Sequence, residues 1–169
     1  MDEFSRQLWK ELLPEEKDLF PPAAKSKESS TRALDHYASP VLLERAAYLR
    51  KLAKLGDGSA SDTLKEYPQH CTMLSVRIRS GIAELHEDFA DLFFVLEGRA
   101  TLVTGGTVAD PETVAPGEIR GSSVTGGNRQ ELRPGDVAHV AAGSPHQMLL
   151  AGDRTLTCLV VKIQQNQRD

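Results

Sequence analysis

From residue 71 onward, the chain consists of short apolar runs separated by turns that contain glycine or proline. Residues 74–79 alternate strictly between apolar and polar side chains, which is the period of a strand buried on one face. Many short strands punctuated in this way are typical of a β-sandwich or barrel. The pattern therefore predicts a mostly β fold. Its turns are expected at 105–106, 116–117, 126–127, 134–135 and 152–153.

One predicted strand is apolar on both faces. Residues 92–96 read Leu-Phe-Phe-Val-Leu, without the polar alternation of a strand that is exposed on one side. Such a strand has to be covered on both faces, and we expect the second cover to come from N-terminal helices or from a second subunit. The stretch from 105 to 126 is expected to be a loop that carries one strand around 118–120.

The first part of the chain has helical spacing instead. Apolar residues at spacings of one, three and four predict a short amphipathic helix over residues 4–13. Residues 21–30 contain little apolar surface and are expected to form an extended connector. The predicted organisation is a helical arm and linker over residues 1–68, followed by a barrel over residues 69–165.

A second helix is predicted over residues 40–55. Ser39 can cap it, Pro40 suits its first position, and Gly56 can take a left-handed conformation after its end. Its apolar stripe needs a partner surface, either the barrel or a second subunit. The stripe consists of Leu42, Ala46, Leu49, Leu52 or Ala53, and Leu55.

Charge and apolar content exclude two classes of partner. Lys and Arg number 20 against 24 Asp and Glu, so the net charge of -4 gives no general attraction for nucleic acid. No stretch approaches the roughly 18 apolar residues that span a membrane, and the acidic first residues differ from a signal peptide, so we expect a cytoplasmic protein. Cys71 and Cys158 lie in separate β-type runs and are expected to be buried free thiols.

Two segments combine ionisable residues with barrel-type turns. In the first, His86 and Asp88 are two residues apart and would share one face of a strand. Asp91 could begin the next strand after a turn and look back at them. In the second, a Gly-Ser-Pro turn precedes His146 at the start of an apolar strand, which is a rigid way to aim an imidazole into a barrel.

These segments resemble the two sequence motifs of the cupin superfamily. The spacing from Asp91 to Gly98, and from Gly135 through Gly143 to His146, matches the family pattern. The resemblance covers about 90 residues and implies a cupin double-stranded β-helix, a jelly-roll-like barrel, with N-terminal α-helices added.

The resemblance also implies a metal site. In the family the ligands are usually three His and one Glu, and residue-by-residue transfer gives His86, Asp88, Asp91 and His146. The chain departs from the pattern because Asp replaces one His and the Glu, and because Ala141 replaces the usual Pro. The implied cofactor is a divalent transition metal, Mn, Fe, Ni or Zn. Two carboxylates make the set harder, which favours Mn(II) or Fe(II).

Several other polar residues have structural interpretations beside functional ones. Phe93 and Met148 are each two residues from a candidate ligand and are expected to line a ligand pocket. His139 is a further pocket candidate, although a strand histidine is more often structural. Four strand arginines could line an anion pocket, but alternating arginines usually form a solvated face. They are Arg77, Arg79, Arg120 and Arg129.

Two functions fit these patterns. The first is a metal-dependent oxygenase or isomerase acting on a small organic molecule, with the metal as Lewis acid and a spare carboxylate such as Asp88 as base. The second is a non-catalytic cupin that binds a small ligand as a sensor or storage pocket. The fold does not choose between them, because cupins host many unrelated functions.

We predict a homodimer, because a strand that is apolar on both faces and two amphipathic helices need more cover than a chain of this length easily provides. Sedimentation velocity at micromolar concentration should give twice the mass of the chain. A single monomeric species at that concentration would contradict this prediction.

Overall fold

The computed structural model describes residues 34–165, which contain one helix and thirteen strands. The predicted helix at residues 4–13 and the connector at 21–30 lie outside the described residues. The elements are α1 (Ser39–Leu55), β1 (Ser59–Glu66), β2 (His70–Arg77), β3 (Ala83–His86), β4 (Phe89–Gly98), β5 (Ala100–Thr104), β6 (Thr107–Ala109), β7 (Glu112–Ala115), β8 (Glu118–Gly121), β9 (Ser123–Thr125), β10 (Asn128–Leu132), β11 (Val137–Val140), β12 (His146–Leu149) and β13 (Leu156–Gln164).

The strands form two large antiparallel sheets and one small one. The first sheet has the order β1-β2-β13-β4-β11, and the second has the order β10-β5-β12-β3-β8-β7. Strands β6 and β9 make a separate pair. Buried side chains of both large sheets meet in one core cluster, which includes Val95 and Val160 of the first sheet and Leu102 and Met148 of the second. Two facing sheets of this topology form a double-stranded β-helix, so the predicted mostly β fold class is confirmed.

Helix α1 covers the outer face of the first sheet. Its buried residues Ala46 and Leu49 form a second core cluster with Leu74 and Val76 of β2, and Leu96 of β4 packs against that cluster. The outer face of β4 is thus covered in part by a helix of the same chain, which is one of the two covers expected from the sequence.

The ends of α1 differ in detail from the prediction. Ala38 occupies the N-cap position without a side-chain hydrogen bond, and Ser39 is the first helical residue, with Pro40 in the first turn. The expected left-handed conformation at Gly56 is wrong, because its φ is -103°. Gly58 takes φ +99° instead, two residues later in the turn that leads into β1.

The sheet begins before the boundary predicted at residue 69. Strand β1 pairs with β2 along its length, with a register shift between Thr63 and Lys65. Its sequence, Ser-Ala-Ser-Asp-Thr-Leu-Lys-Glu, contains one large apolar residue, because an edge strand that is only partly buried needs little apolar surface. The sequence of β1 therefore lacks the regular alternation of large apolar and polar residues that would predict a strand.

The strand predicted around 118–120 is present as β8, but the prediction that the rest of 105–126 is a loop is wrong. The region contains β6, β7, β8 and β9, and β8 pairs with both β7 and β3. Val108 and Val124 of the β6–β9 pair are buried against Ala83 and Val103. The pairing of β8 with β3 and the two buried valines attach this region to the barrel. Two valines separated by polar residues are too short a pattern to predict strands from sequence. Among the residues that the structure describes, no helix has the length and apolar character needed to cross a lipid bilayer.

The packing of α1 on the sheet predicts unequal effects of two leucine substitutions in one helix. Leu49 is 3% exposed in the cluster with β2, whereas Leu55 is 66% exposed. Leu49→Ala should lower the free energy of unfolding by about 2–5 kcal/mol, because it leaves a cavity in a packed core. Leu55→Ala should change it by less than about 0.5 kcal/mol. Urea unfolding measures both, and equal effects would show that α1 does not pack as described.

Candidate metal centre

A cavity of about 440 Å³ lies between the two large sheets. Its wall includes apolar side chains, such as Phe93 of β4 and Met148 of β12, whose presence in the pocket was expected from the sequence. It also contains an unusual number of ionisable groups for a small barrel. These groups are Arg77, Glu84, His86, Asp91, Glu118, Arg120, His146 and Lys162.

Alternation along three strands brings the candidate ligands into this cavity. Glu84 and His86 are two residues apart on β3, so both face inward, and Asp91 faces inward from β4. His146 is the first residue of β12, directly after the turn that contains Gly143 with φ +73°. His86, Asp91 and His146 are all buried, at 3%, 4% and 5% exposure.

The electron-pair donors of these residues converge. Asp91 Oδ2 lies 3.3 Å from His86 Nε2 and 3.5 Å from His146 Nε2. Glu84 Oε2 lies 3.7 Å from His86 Nε2. One ligand atom each from Glu84, His86 and His146 lies within 4.8 Å of the other two, close enough for a single ion to contact all three.

The outer nitrogens of both imidazoles are engaged in hydrogen bonds. His86 Nδ1–H donates to Glu118 Oε2 at 2.6 Å, and His146 Nδ1–H donates to the carbonyl oxygen of Ser144 at 3.2 Å. A carbonyl or carboxylate oxygen can only accept, so these contacts place the proton on Nδ1. In the neutral imidazole the Nε2 lone pair then faces the cavity. This is the arrangement by which proteins prepare histidines to bind a metal ion.

Glu118 is itself held in the ionised form. Burial opposes its ionisation, but the charge of His86 and its hydrogen bond, together with Arg120, lower the pKa of the Glu118 carboxyl below its usual value. Arg120 donates to Glu118 Oε2 at 2.9 Å and lies 3.8 Å from Glu84 Oε2. Arg77 pairs with the other oxygen of Glu84 at 2.8 Å. The carboxylates around His86 are thus fixed in position by arginines.

Asp91 is the most buried carboxylate of the site. Burial disfavours its charged form, but hydrogen bonds from the protonated imidazoles of His146 and His86 and the ammonium of Lys162 outweigh burial and hold the pKa of Asp91 well below its usual range. Lys162 Nζ lies 3.1 Å from Asp91 Oδ1 and 3.0 Å from His86 Nε2. The contact with Oδ1 lacks hydrogen-bond geometry, and among residues 34–165 this buried oxygen accepts no hydrogen bond.

The residues present fit a divalent transition metal. Two Nε2 lone pairs and two carboxylates converge from three strands, and one buried carboxylate oxygen has a lone pair without a donor in the described part of the chain. Nitrogen and oxygen donors in this mixture suit Mn, Fe, Ni or Zn, and the two carboxylates favour the harder ions. The candidate ligands are Glu84, His86 and His146, with Asp91 beside both histidines.

Three of the four ligands expected from the sequence are together, and Asp88 is not with them. Asp88 lies in the turn between β3 and β4, beside Gly117, and does not line the cavity. Glu84 stands with the other three instead. Residues two apart in a strand share a face. Because β3 ends at His86, the residue that shares its face is Glu84, and Asp88 already lies in the turn. The same alternation would have identified Glu84.

Other pocket candidates also differ from expectation. His139 is exposed on β11 and does not line the cavity. Arg77 and Arg120 line the cavity rather than a solvated face, whereas Arg79 and Arg129 are exposed. For Arg77 the reason is that α1 covers the apolar face of β2, so the polar face of that strand turns toward the interior of the barrel.

Comparisons with known proteins support the fold. No family model matches the sequence, and no curated protein matches it. The structure is similar to that of TT1209 from Thermus thermophilus, at 17% identity and a TM-score of 0.52, over 73% of this chain and 95% of that one. A sugar phosphate isomerase of the cupin superfamily from Silicibacter pomeroyi aligns at 23% identity and a TM-score of 0.45, over 64% of this chain and 61% of its own.

A predicted oxalate decarboxylase from Thermotoga maritima aligns at 15% identity and a TM-score of 0.47, over 63% of this chain and 81% of that one. At such identities the likeness is one of fold. The protein is thus a double-stranded β-helix barrel with a candidate metal centre inside it. Its two facing antiparallel sheets form the double-stranded β-helix that the two sequence motifs implied, and the TT1209 structure is similar in fold.

The two cysteines are free thiols in different environments. Cys158 of β13 is buried and lines the cavity, whereas Cys71 of β2 is only partly buried. Burial raises the pKa of Cys158 to about 12, against the opposing charge of Arg77. Burial also raises the pKa of Cys71, against the charge of Lys162.

The raised pKa of Cys158 predicts a loss of stability at alkaline pH. Between pH 9.0 and about 12 the folded protein keeps the Cys158 proton, while the unfolded chain releases it. The free energy of unfolding should therefore decrease as pH rises through this window. A Cys158→Ala variant should show a smaller decrease than the parent, measured by urea unfolding at neutral pH and within the window. Identical pH dependence in the two proteins would contradict the burial of this thiol.

Proposed function

We propose that the protein binds one divalent transition metal ion through Glu84, His86, Asp91 and His146 and is an isomerase- or oxygenase-type enzyme for a small organic anion. The observation that carries this proposal is the convergence of two Nε2 atoms and two carboxylates, with both Nδ1 atoms engaged as donors. A core histidine with only a structural role has no need of this orientation. A bound ion would supply Lewis acidity and open coordination positions for the substrate.

The charges of the cavity support an anionic substrate. Three acidic side chains of the wall, Glu84, Asp91 and Glu118, are balanced by three basic ones, Arg77, Arg120 and Lys162. A divalent ion would give the cavity an excess of positive charge, which attracts an organic anion. A volume of about 440 Å³ suits a small molecule, and Phe93 and Met148 offer apolar contact to its carbon skeleton.

Outside the candidate ligand set, Lys162 and Glu118 are two groups of the cavity wall that can hold a proton beside the substrate. Asp88 does not line the cavity, so the role of base that the sequence suggested for Asp88 has no support in the structure. Glu118 is held by both His86 and Arg120, whereas the contact of Lys162 with Asp91 lacks hydrogen-bond geometry. Lys162 is therefore the better candidate for proton transfer in an isomerase-type reaction.

One observation favours a second function, a non-catalytic cupin that binds a small ligand as a sensor or storage protein. The ammonium of Lys162 lies against Asp91 and His86, so positive charge is present among the donors without a metal ion. An organic anion could then bind to the arginines and Lys162 alone. The two functions differ in whether ligand binding requires metal.

The metal site is tested by elemental analysis of protein purified without chelator, together with Mn²⁺ titration of the stripped protein. The parent should bind about one equivalent, and Glu84→Gln should weaken binding by at least about tenfold because it removes an anionic ligand. Asp88→Asn is the matched control, because it removes an equal charge two residues from His86 and should leave the dissociation constant unchanged.

A double variant, His86→Ala with His146→Ala, should abolish binding, whereas His139→Ala should bind like the parent. A parent protein that binds no divalent ion, with a cavity that still binds organic anions, would make the non-catalytic function the correct one. Equal weakening by Asp88→Asn and Glu84→Gln would show that the effect is one of general charge.

A further inference from the structure

Lys162 lies in the cavity wall and its ammonium contacts two of the candidate ligands, although neither sequence motif contains this residue. It lies on β13 directly opposite Asp91 of β4 in the antiparallel register. Its ammonium is 3.1 Å from Asp91 Oδ1 and 3.0 Å from His86 Nε2. These are two of the donors that the proposed metal site requires.

The donor cluster needs a cation. Asp91 Oδ2 lies within 3.5 Å of the Nε2 atoms of both histidines, and each Nδ1 is already a donor to another group. A buried carboxylate that faces lone pairs is unfavourable unless a positive charge compensates it. Lys162 supplies that charge, since its long side chain is 22% exposed and reaches inward to the donors.

We propose that Lys162 is the built-in cation of this site: its ammonium occupies part of the position of a divalent ion, and metal binds only by displacing it. The inference rests on the proposed metal site and adds the residue that sets its affinity. The ammonium contacts Asp91 Oδ1 and His86 Nε2, and the single lone pair of His86 Nε2 cannot bind the ammonium and a metal ion at the same time. Metal binding is thus an exchange of cations.

The exchange has a consequence for the substrate. An ammonium released from Asp91 remains tethered to β13 at the cavity wall, where it can pair with an anionic group. Metal binding would thereby release the Lys162 ammonium from Asp91 and His86 and allow it to pair with the ligand. Anion binding should accordingly be tighter in the metal-loaded protein than in the stripped protein.

The proposal is tested by titrating stripped protein with Mn²⁺ and following the electron paramagnetic resonance signal of the free ion. Lys162→Met removes the charge and keeps most of the length of the side chain, and Lys162→Gln removes the charge with a polar side chain. Both should lower the dissociation constant by at least about tenfold, because the ion no longer displaces an ammonium. Lys54→Met is the control of equal charge change, since Lys54 lies in the last turn of α1. It should bind Mn²⁺ like the parent.

A second measurement needs no metal. Lys162→Met should lower the melting temperature of the stripped protein, because Asp91 loses its counter-charge, and the loss should be smaller in an Asp91→Asn background. Equal Mn²⁺ affinity in the parent and both Lys162 variants would overturn the inference while leaving the metal site intact. No Mn²⁺ binding in the parent or in either variant would overturn the metal site itself, and the exchange with it.

Discussion

The antiparallel register between β4 and β13 is the constraint on which the rest of the structure depends. It pairs Asp91 with Lys162, Phe93 with Val160 and Val95 with Cys158, and these side chains form one face of the first sheet. Strand β13 carries the same alternation to β2, where Val160 meets Met73 and Cys158 meets Ser75. A shift of one residue would turn every one of these side chains to the outer face and place Leu92 and Phe94 in the cavity. The site and the core are therefore specified together.

The sequence predicted local structure well wherever a pattern was long enough. The alternation of β2, the apolar run of β4 and the spacing of α1 each extend over several residues, and each predicts an element that the structure contains. Strands β1, β6, β7 and β9 were not predicted, because their contacts are supplied by a partner strand or by single valines. The cover on the outer face of β4 was correctly inferred, since α1 packs beside Leu96.

In the candidate site, too, residues within a short motif could be predicted from the sequence, and residues brought together from distant strands could not. His86, Asp91 and His146 belong to two short motifs and could be named from spacing alone. Glu84 was missed because the end of β3 decides which neighbour of His86 shares its face, and the turn residues after it are polar as well. Lys162 lies 76 residues from His86, and Glu118 lies 32 residues from it. No local pattern reports such pairs, because they are created by strand register.

The apolar clusters, rather than the charged groups of the cavity, account for the stability of the barrel. Stability of this barrel comes chiefly from the cluster between the two sheets and the cluster beneath α1, both of which consist of aliphatic side chains. Buried ion pairs contribute little to folding, because the desolvation of both charges offsets most of their attraction. A wall that places three acids, three bases and two oriented histidines around one cavity is therefore not explained by stability. Perturbed and paired ionisable groups in a cleft are characteristic of functional sites, and this supports the ligand-binding cavity proposed above. The pairing of each acid with a base keeps the cavity electrically balanced until a cation or an anion enters, and the entry of one then alters what the cavity binds next.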